Sequence, residues 1–495
     1  MTPPIRALRP GIVFAALSLS TLLLGACVRP DGLHSDATMA DANRLQIAAT
    51  TVGVAKTAPW PTLDWWHDYQ DPQLDALIAE GLSGSPSLRV ADARIRRAAA
   101  ATGQAQAALF PALRAGAAPS LERFNENGLF PAPFAGNVRT NNQIALDGSY
   151  TLDLWGGKEA EFRAALGALR ASEVDRQTAR LDLTTAIAQA YVRLAGEWDQ
   201  LEISRDLLRQ KHEIKALSDG LLRAGLVTEV EVQQAAAAIA ATEAEISASE
   251  ERVALLQQQL AVLVGAGPDR GATIGRPRLL VAHDLALPAT LPAELIGRRP
   301  DIVAQRWRIE AAVRTIDATK ATFYPNINLS ASLGLQSVGI DKFFMASSTL
   351  ATIGPAITLP VFDAGRLRAN LAMADADFDI AVETYNGTII AALQDVVGQL
   401  TSWHANESAL TQEHVAVAHL RDADRLAILR FREGLSNYLT VLSAEGELTA
   451  ERRNEARAQN RQLVIAVALV HALGGGYQPG DPPVPNQPPA DQTRS

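Results

Sequence analysis

Two periodicities alternate along the chain. In Asn326-Ile327-Asn328-Leu329-Ser330-Ala331-Ser332-Leu333-Gly334-Leu335-Gln336 every odd position is apolar and every even one is polar or Gly, the period of two that gives a strand two unlike faces. Thr352 to Val361 repeats the pattern, with Ile353, Ile357, Leu359 and Val361 against Thr352, Gly354 and Thr358. In the first half, Ile144, Leu146, Tyr150, Leu152 and Leu154 oppose Gln143, Asp147, Ser149, Thr151 and Asp153, and Leu113, Ala115, Ala117 and Leu121 oppose Arg114, Gly116, Ser120 and Glu122. Strands are therefore predicted over residues 112–122, 143–155, 326–337 and 351–362. Elsewhere the period is helical: Ile187, Tyr191, Leu194, Trp198 and Leu201 recur at spacings of four and three, a seam for a neighbouring helix.

Proline placement extends the helical reading. The chain has 26 prolines, yet none lies between Lys158 and Gly267 or between Phe362 and Gln478. Because proline breaks helix interiors, each of these stretches reads as a helical hairpin, over residues 158–265 and 365–473. A helix from Lys158 to Leu222 would be about 100 Å long, more than a compact domain needs.

The two halves also repeat one another, about 210 residues apart. Arg223-Ala224-Gly225-Leu226 corresponds to Arg432-Glu433-Gly434-Leu435, Phe110-Pro111 to Tyr324-Pro325, and Leu152-Asp153-Leu154-Trp155-Gly156-Gly157-Lys158 to Leu359-Pro360-Val361-Phe362-Asp363-Ala364-Gly365-Arg366. One duplicated unit is expected, with repeats over residues 65–290 and 291–477. The Gly-containing segments after Arg223 and Arg432 are the expected hairpin turns.

The N-terminus bears on compartment. Arg6 and Arg9 precede an apolar run from Gly11 to Leu24 that ends in Leu24-Gly25-Ala26-Cys27, the pattern of a signal peptide over residues 1–26. Those last four residues resemble a bacterial lipobox, in which the cysteine is acylated. Cys27, the chain's single cysteine, is thus the expected lipidation site, carrying diacylglycerol and palmitate, with an acylated linker over residues 27–64. Val28 stands where the sorting rule of enteric bacteria places a retaining Asp, which favours the outer membrane. The Pro- and Asp-rich tail, residues 478–495, is expected to be disordered.

Composition removes other classes. With 47% apolar and only 5% aromatic residues the chain suits close-packed helices, and its net charge of -9, with no basic stripe, argues against nucleic acid as a partner. The eight histidines are dispersed; His414 and His419, five apart, do not share a helix face as a metal pair would. Gly474-Gly475-Gly476 follows a helix and precedes a Pro-rich tail, a helix stop rather than a phosphate cradle. No nucleophile elbow or Walker motif is found, so neither an enzyme nor a metal or cofactor site is expected, the covalent lipid aside.

After the signal no apolar stretch is long enough for a transmembrane helix, so a membrane crossing would have to use strands. Strands of about ten residues match a tilted crossing of hydrocarbon. Four cannot close a barrel, and an open edge is not tolerated in lipid, whereas three copies supply twelve. A soluble half-buried hairpin would alternate in the same way. The fold class expected is α+β, mostly α: a trimeric 12-stranded barrel, four strands per chain, continuing into a helical coiled-coil tunnel.

The motifs carry a family resemblance. The chain resembles the TolC-type outer membrane factors, specifically their lipid-anchored NodT branch. The residues concerned are Trp65-Trp66-His67-Asp68-Tyr69-Gln70-Asp71-Pro72-Gln73-Leu74 with Leu77-Ile78 and Pro86-Ser87-Leu88, then Arg298-Arg299-Pro300-Asp301-Ile302, Tyr324-Pro325-Asn326-Ile327, Tyr438-Leu439-Thr440-Val441-Leu442 and Ala472-Leu473-Gly474-Gly475-Gly476-Tyr477. The resemblance implies a homotrimer in outer-membrane lipid with its tunnel in the periplasm. It would export small molecules such as drugs, received from an inner-membrane pump of the RND type through a periplasmic adaptor, or membrane fusion protein. In the family, acidic rings constrict the periplasmic mouth just beyond the second-repeat turn. Here Thr440 and Ser443 occupy those places, so an acidic constriction is expected to use Glu229 or Glu231 of the first repeat; the alternative is that these glutamates simply favour a helix start. The turns, Gly225, Leu226, Val227 and Thr228 with Gly434, Leu435, Ser436 and Asn437, are the candidate adaptor contacts, unless each leucine staples its own turn. Two other functions fit parts of the pattern, a lipid-anchored periplasmic coiled-coil adaptor and an exit duct for type I polypeptide secretion.

Overall fold

In the computed structural model, the described residues are Gly32, Ser35, 37–41, 60–127, 131–279 and 297–480. The signal segment, Cys27, most of the linker and residues 481–495 lie outside them. After a 3-10 turn at Trp65–Tyr69 come helices α1 (Pro72–Gly84) and α2 (Pro86–Ala107), strands β1 (Ala112–Arg123) and β2 (Val138–Leu152), and helices α3 (Gly157–Arg223) and α4 (Glu229–Leu263). The order then repeats with α5 (Pro300–Ala321), β3 (Asn326–Val338), β4 (Thr349–Thr358), α6 (Arg366–Arg432) and α7 (Tyr438–Ala472). The hairpins match in length: α3 and α6 have 67 residues each, α4 and α7 have 35.

The chain divides into two compact units that cut across the sequence halves. The first comprises residues 1–39, 95–172 and 305–385, the second 40–94, 173–304 and 386–495. Each unit draws on both halves because strands from both pair in one sheet and helices from both share one core.

The first unit holds an antiparallel sheet of order β1-β2-β3-β4. Directly paired residues share a face, so register decides what each face presents. Ala115, Leu146, Leu333 and Ala351 form one row across the sheet; Leu113, Gly148, Ala331 and Ile353 form another. On the opposite face Arg114, Asp147, Ser332 and Thr352 line up. The period of two in each segment has become two continuous faces, one apolar and one polar.

Two strand ends differ from the periodicity. β2 begins at Val138 and stops at Leu152, leaving Leu154 and Trp155 outside it, and β4 stops at Thr358. In both places an aspartate starts the following helix: Asp153 accepts from Glu159 N–H at 2.9 Å, and Asp363 from Leu367 N–H at 2.9 Å. Alternation ran on in the sequence, but these turns and Pro360, which has no N–H to donate, end the ladders first. At the other strand starts Pro111 and Pro325 follow exposed Phe110 and Tyr324 and separate helix from strand. Trp155 stacks on Tyr324 at 4.7 Å and donates from Nε1 to the Pro325 carbonyl at 2.8 Å.

The second unit has the larger core. The seam residues Ile187, Tyr191, Leu194 and Leu201 are at most 1% exposed and pack with Trp65, Trp66, Leu74, Leu77 and Ile78. Asp71 organises this core: one carboxylate oxygen accepts from Gln73 N–H at 2.9 Å and caps α1, and the other accepts from the Tyr191 hydroxyl at 2.8 Å and from Arg278 N–H at 2.7 Å. Gln73 donates to the Tyr191 hydroxyl and accepts from Gly275 N–H, so the polar groups of the Trp65 to Leu74 motif are bonded where they are buried. Burial and the adjoining Asp71 raise the Tyr191 phenol above its ordinary range, the desolvation being the larger cause. At the motif Gly474 to Gly476, a Cβ on Gly474 would stand 2.1 Å from the Arg298 carbonyl oxygen, which explains a glycine there apart from any conformational demand.

Candidate functional site: hairpin turns and strand faces

Both hairpins turn by the same bonds. Gly225 N–H donates to the Leu222 carbonyl and Leu226 N–H to that of Leu221, both at 2.9 Å; Gly434 donates to Phe431 at 3.0 Å and Leu435 to Arg430 at 2.8 Å. This pair of bonds is the Schellman ending of a helix, and it requires a left-handed residue, here Gly225 and Gly434, each with φ of 72°. Thr228 and Asn437 then cap the return helices α4 and α7.

Leu226 and Leu435 are 66% and 69% exposed. Most of each leucine faces solvent, and in the first turn Val227 is the residue that packs inward, against a cluster of Ile214, Ala235, Ala427, Phe431, Tyr438 and Val441. The turns thus present two leucines, with exposed Val230 and Leu439 one position into the return helices' faces, as solvent-facing apolar surface.

The candidate acids divide. Glu231 forms a capping box: its carboxylate accepts from Thr228 N–H at 2.9 Å and from the Thr228 hydroxyl, which hold it below the usual carboxylate range, while Thr228 caps α4 in return. Glu229 is exposed beside it. On the second hairpin Thr440 donates from its hydroxyl to Asn437 Oδ1 at 3.0 Å and Ser443 lies 3.4 Å from Glu447. Glu447 lies one helical turn beyond Ser443, a spacing of four that puts the two side chains on one face of α7.

Leu113 and Leu121 of β1, Leu333 of β3, and Ile353 and Ile357 of β4 are each at least 60% exposed. Neither β1 nor β4 has a second strand partner among the described residues. No described helix is long and apolar enough to cross a membrane, and no described group of three or more His, Cys, Asp or Glu could hold a metal ion.

Comparison with known proteins agrees with this arrangement. The family model described as outer membrane efflux protein matches residues 77–266 and 291–475. The fusaric acid resistance protein FusA of Burkholderia cepacia is 36% identical over 368 residues, 74% of this chain and 69% of FusA. The multidrug resistance outer membrane protein MdtP of Shigella flexneri is 33% identical over 438 residues, 85% of this chain and 87% of MdtP. The crystal structure of the outer membrane protein VceC of Vibrio cholerae superposes with a TM-score of 0.80 at 36% identity, covering 85% of this chain and all of VceC. These matches set the adaptor reading aside. The chain belongs to the outer membrane efflux protein family and is an outer-membrane channel component of an efflux system.

Proposed function

We propose that three copies of this chain assemble in the outer membrane, sharing one twelve-stranded barrel, and that their helical hairpins form a periplasmic tunnel conducting small toxic organic molecules outward. The observation that carries the reading is the four-stranded sheet with no further strand on either outer edge among the described residues and one face apolar and exposed. Lipid accepts such a face, and closure by neighbouring copies satisfies such edges. The matching hairpins and twofold family match support two copies of one ancestral unit. The cargo class follows the names of FusA and MdtP. Cys27 is the proposed lipid anchor, the exposed leucines of the turns are the proposed contacts for a periplasmic adaptor, and the pump beyond it is of the RND type. Glu229 and Glu231 are the proposed acidic constriction; because Glu231 keeps its charge in the capping box, it can repel anions and hold divalent cations.

Conductance in planar bilayers, with native mass measured on the same sample, tests the assembly. Discrete channel steps from a trimer are expected; a monomer that never conducts overturns the shared barrel. Divalent cations should block wild-type channels more than Glu231→Gln channels, and equal block removes Glu231 from the constriction.

A further inference from the structure

On the second hairpin, two acids are buried where the first hairpin's Glu231 is solvated. Glu445 of α7 is 3% exposed and Asp424 of α6 is 7% exposed. Lys211 of α3 approaches Glu445, Nζ to Oε2, at 3.9 Å, and Gln210 of α3 donates to Asp424 Oδ2 at 3.2 Å. The other oxygen of each acid, Glu445 Oε1 and Asp424 Oδ1, meets no hydrogen-bond donor, and the buried hydroxyl of Ser218 on α3 is also without a partner. The helices that carry them share the apolar cluster of Ile214, Ala427, Phe431, Tyr438 and Val441.

We propose that Glu445, Asp424 and Lys211 form a proton-operated catch, which holds α6 and α7 against α3 when Glu445 is protonated and loosens when it ionises. Lys211 approaches Glu445 alone and Asp424 has only the neutral Gln210 amide, so ionisation of both acids leaves a negative charge without a cation among buried groups, a state costly to hold. A proton removes that charge. The charged groups acting on Glu445 are Lys211 of α3 and Asp424 of α6; on α7 Glu445 itself acts on the Tyr438 phenol, and α4 contributes the apolar Ala235 to the neighbouring cluster. Lys215, one turn beyond Lys211, is engaged with Asp219 at 2.8 Å.

Burial raises the Glu445 carboxyl from 4.5 to about 7, with Lys211 opposing and Asp424 adding to the shift; burial also raises Asp424, against the hydrogen bond from Gln210. The packed state therefore holds its proton to higher pH than the loosened state does. Its stability is full below pH 4.5, declines as pH rises from there through about 7, and then levels off. If the hairpins line a channel mouth, as proposed above, rising pH favours the open mouth.

Hydrogen–deuterium exchange on the purified full chain, corrected for the intrinsic pH dependence of exchange, reads the catch directly. Between pH 5.5 and pH 8, protection over residues 421–449 should fall on the order of tenfold or more, while residues 229–249 stay unchanged. Glu445→Gln should abolish the difference, and Lys211→Met should move the midpoint to higher pH. Wild-type protection independent of pH, or equal pH dependence in Glu445→Gln, overturns the proposal. Should Glu445→Gln fail to fold, an unmoved midpoint in Lys211→Met overturns it as well. Bilayer conductance and native mass of the same samples separate the two readings: a pH-dependent exchange step in a monomer that never conducts spares the catch and removes the shared barrel.

Discussion

Glu231 and Glu445 both belong to the return helices of hairpins with the same turn, yet one is drawn below the ordinary carboxylate range and the other above it. Glu231 sits in the first turn of α4, where hydrogen bonds from Thr228 favour its charged form. Glu445, two turns into α7, has lost water and gained only a distant lysine. The backbone of the turns is the same; what differs is that Glu231 stands at the helix start and is bonded to its cap, whereas Glu445 lies two turns in and is buried. Local sequence sets the cap, and packing sets the charge.

Cutting the packing should separate the hairpins most. Phe431 is 1% exposed three residues before Gly434, whereas its counterpart Leu222 before Gly225 is only half-buried. Phe431→Ala should cost about 3–5 kcal/mol in thermal or denaturant unfolding, and Leu222→Ala distinctly less. Equal losses would mean that the two turns are supported alike. Removing the partly buried cation comes next: Lys211→Met should destabilise by about 3 kcal/mol at pH 8, and the loss should shrink at pH 5, where Glu445 is protonated in the packed state of wild type and variant alike.

Changes to the shared backbone should erase the difference. Gly225→Ala and Gly434→Ala, each forcing a side chain onto a left-handed residue, should cost about 1–2 kcal/mol apiece and agree closely. Removal of the caps by Thr228→Ala or Asn437→Ala should cost about 1 kcal/mol each. The smallest effect belongs to Glu231→Gln. Its carboxylate stabilises α4 above the ordinary carboxylate range and loses that role as pH falls, so the variant should differ from wild type near neutrality and converge with it in acid. Helix protection of α4 by exchange, compared at both pH values, checks the sign.

Much of the architecture was legible in the residues. The proline-free stretches mark α3 with α4 and α6 with α7, and alternation marks four strands, because periods of two and 3.6 are properties of one chain segment and its faces. The ends of β2 and β4 were not legible, since Leu154 and Val361 keep the alternation going past turns made by Asp153 and Asp363. The turn glycines and the exposed leucines could be named from the repeat. The burial of Asp424 and Glu445 could not: both resemble ordinary charged positions on long helices, and only the approach of α3 removes their water.

The sequence by itself determined the local order: which segments coil, which extend, where each helix pair reverses and which face of each strand is apolar. Those are short-range consequences of side-chain period, proline and glycine. The tertiary structure alone decided that strands from both halves share one sheet, that its apolar rows run unbroken across four strands, and that Glu445 and Asp424 meet Lys211 and Gln210 of a helix remote in the chain. Such pairings depend on register and on which helix covers which, quantities to which no single segment is sensitive.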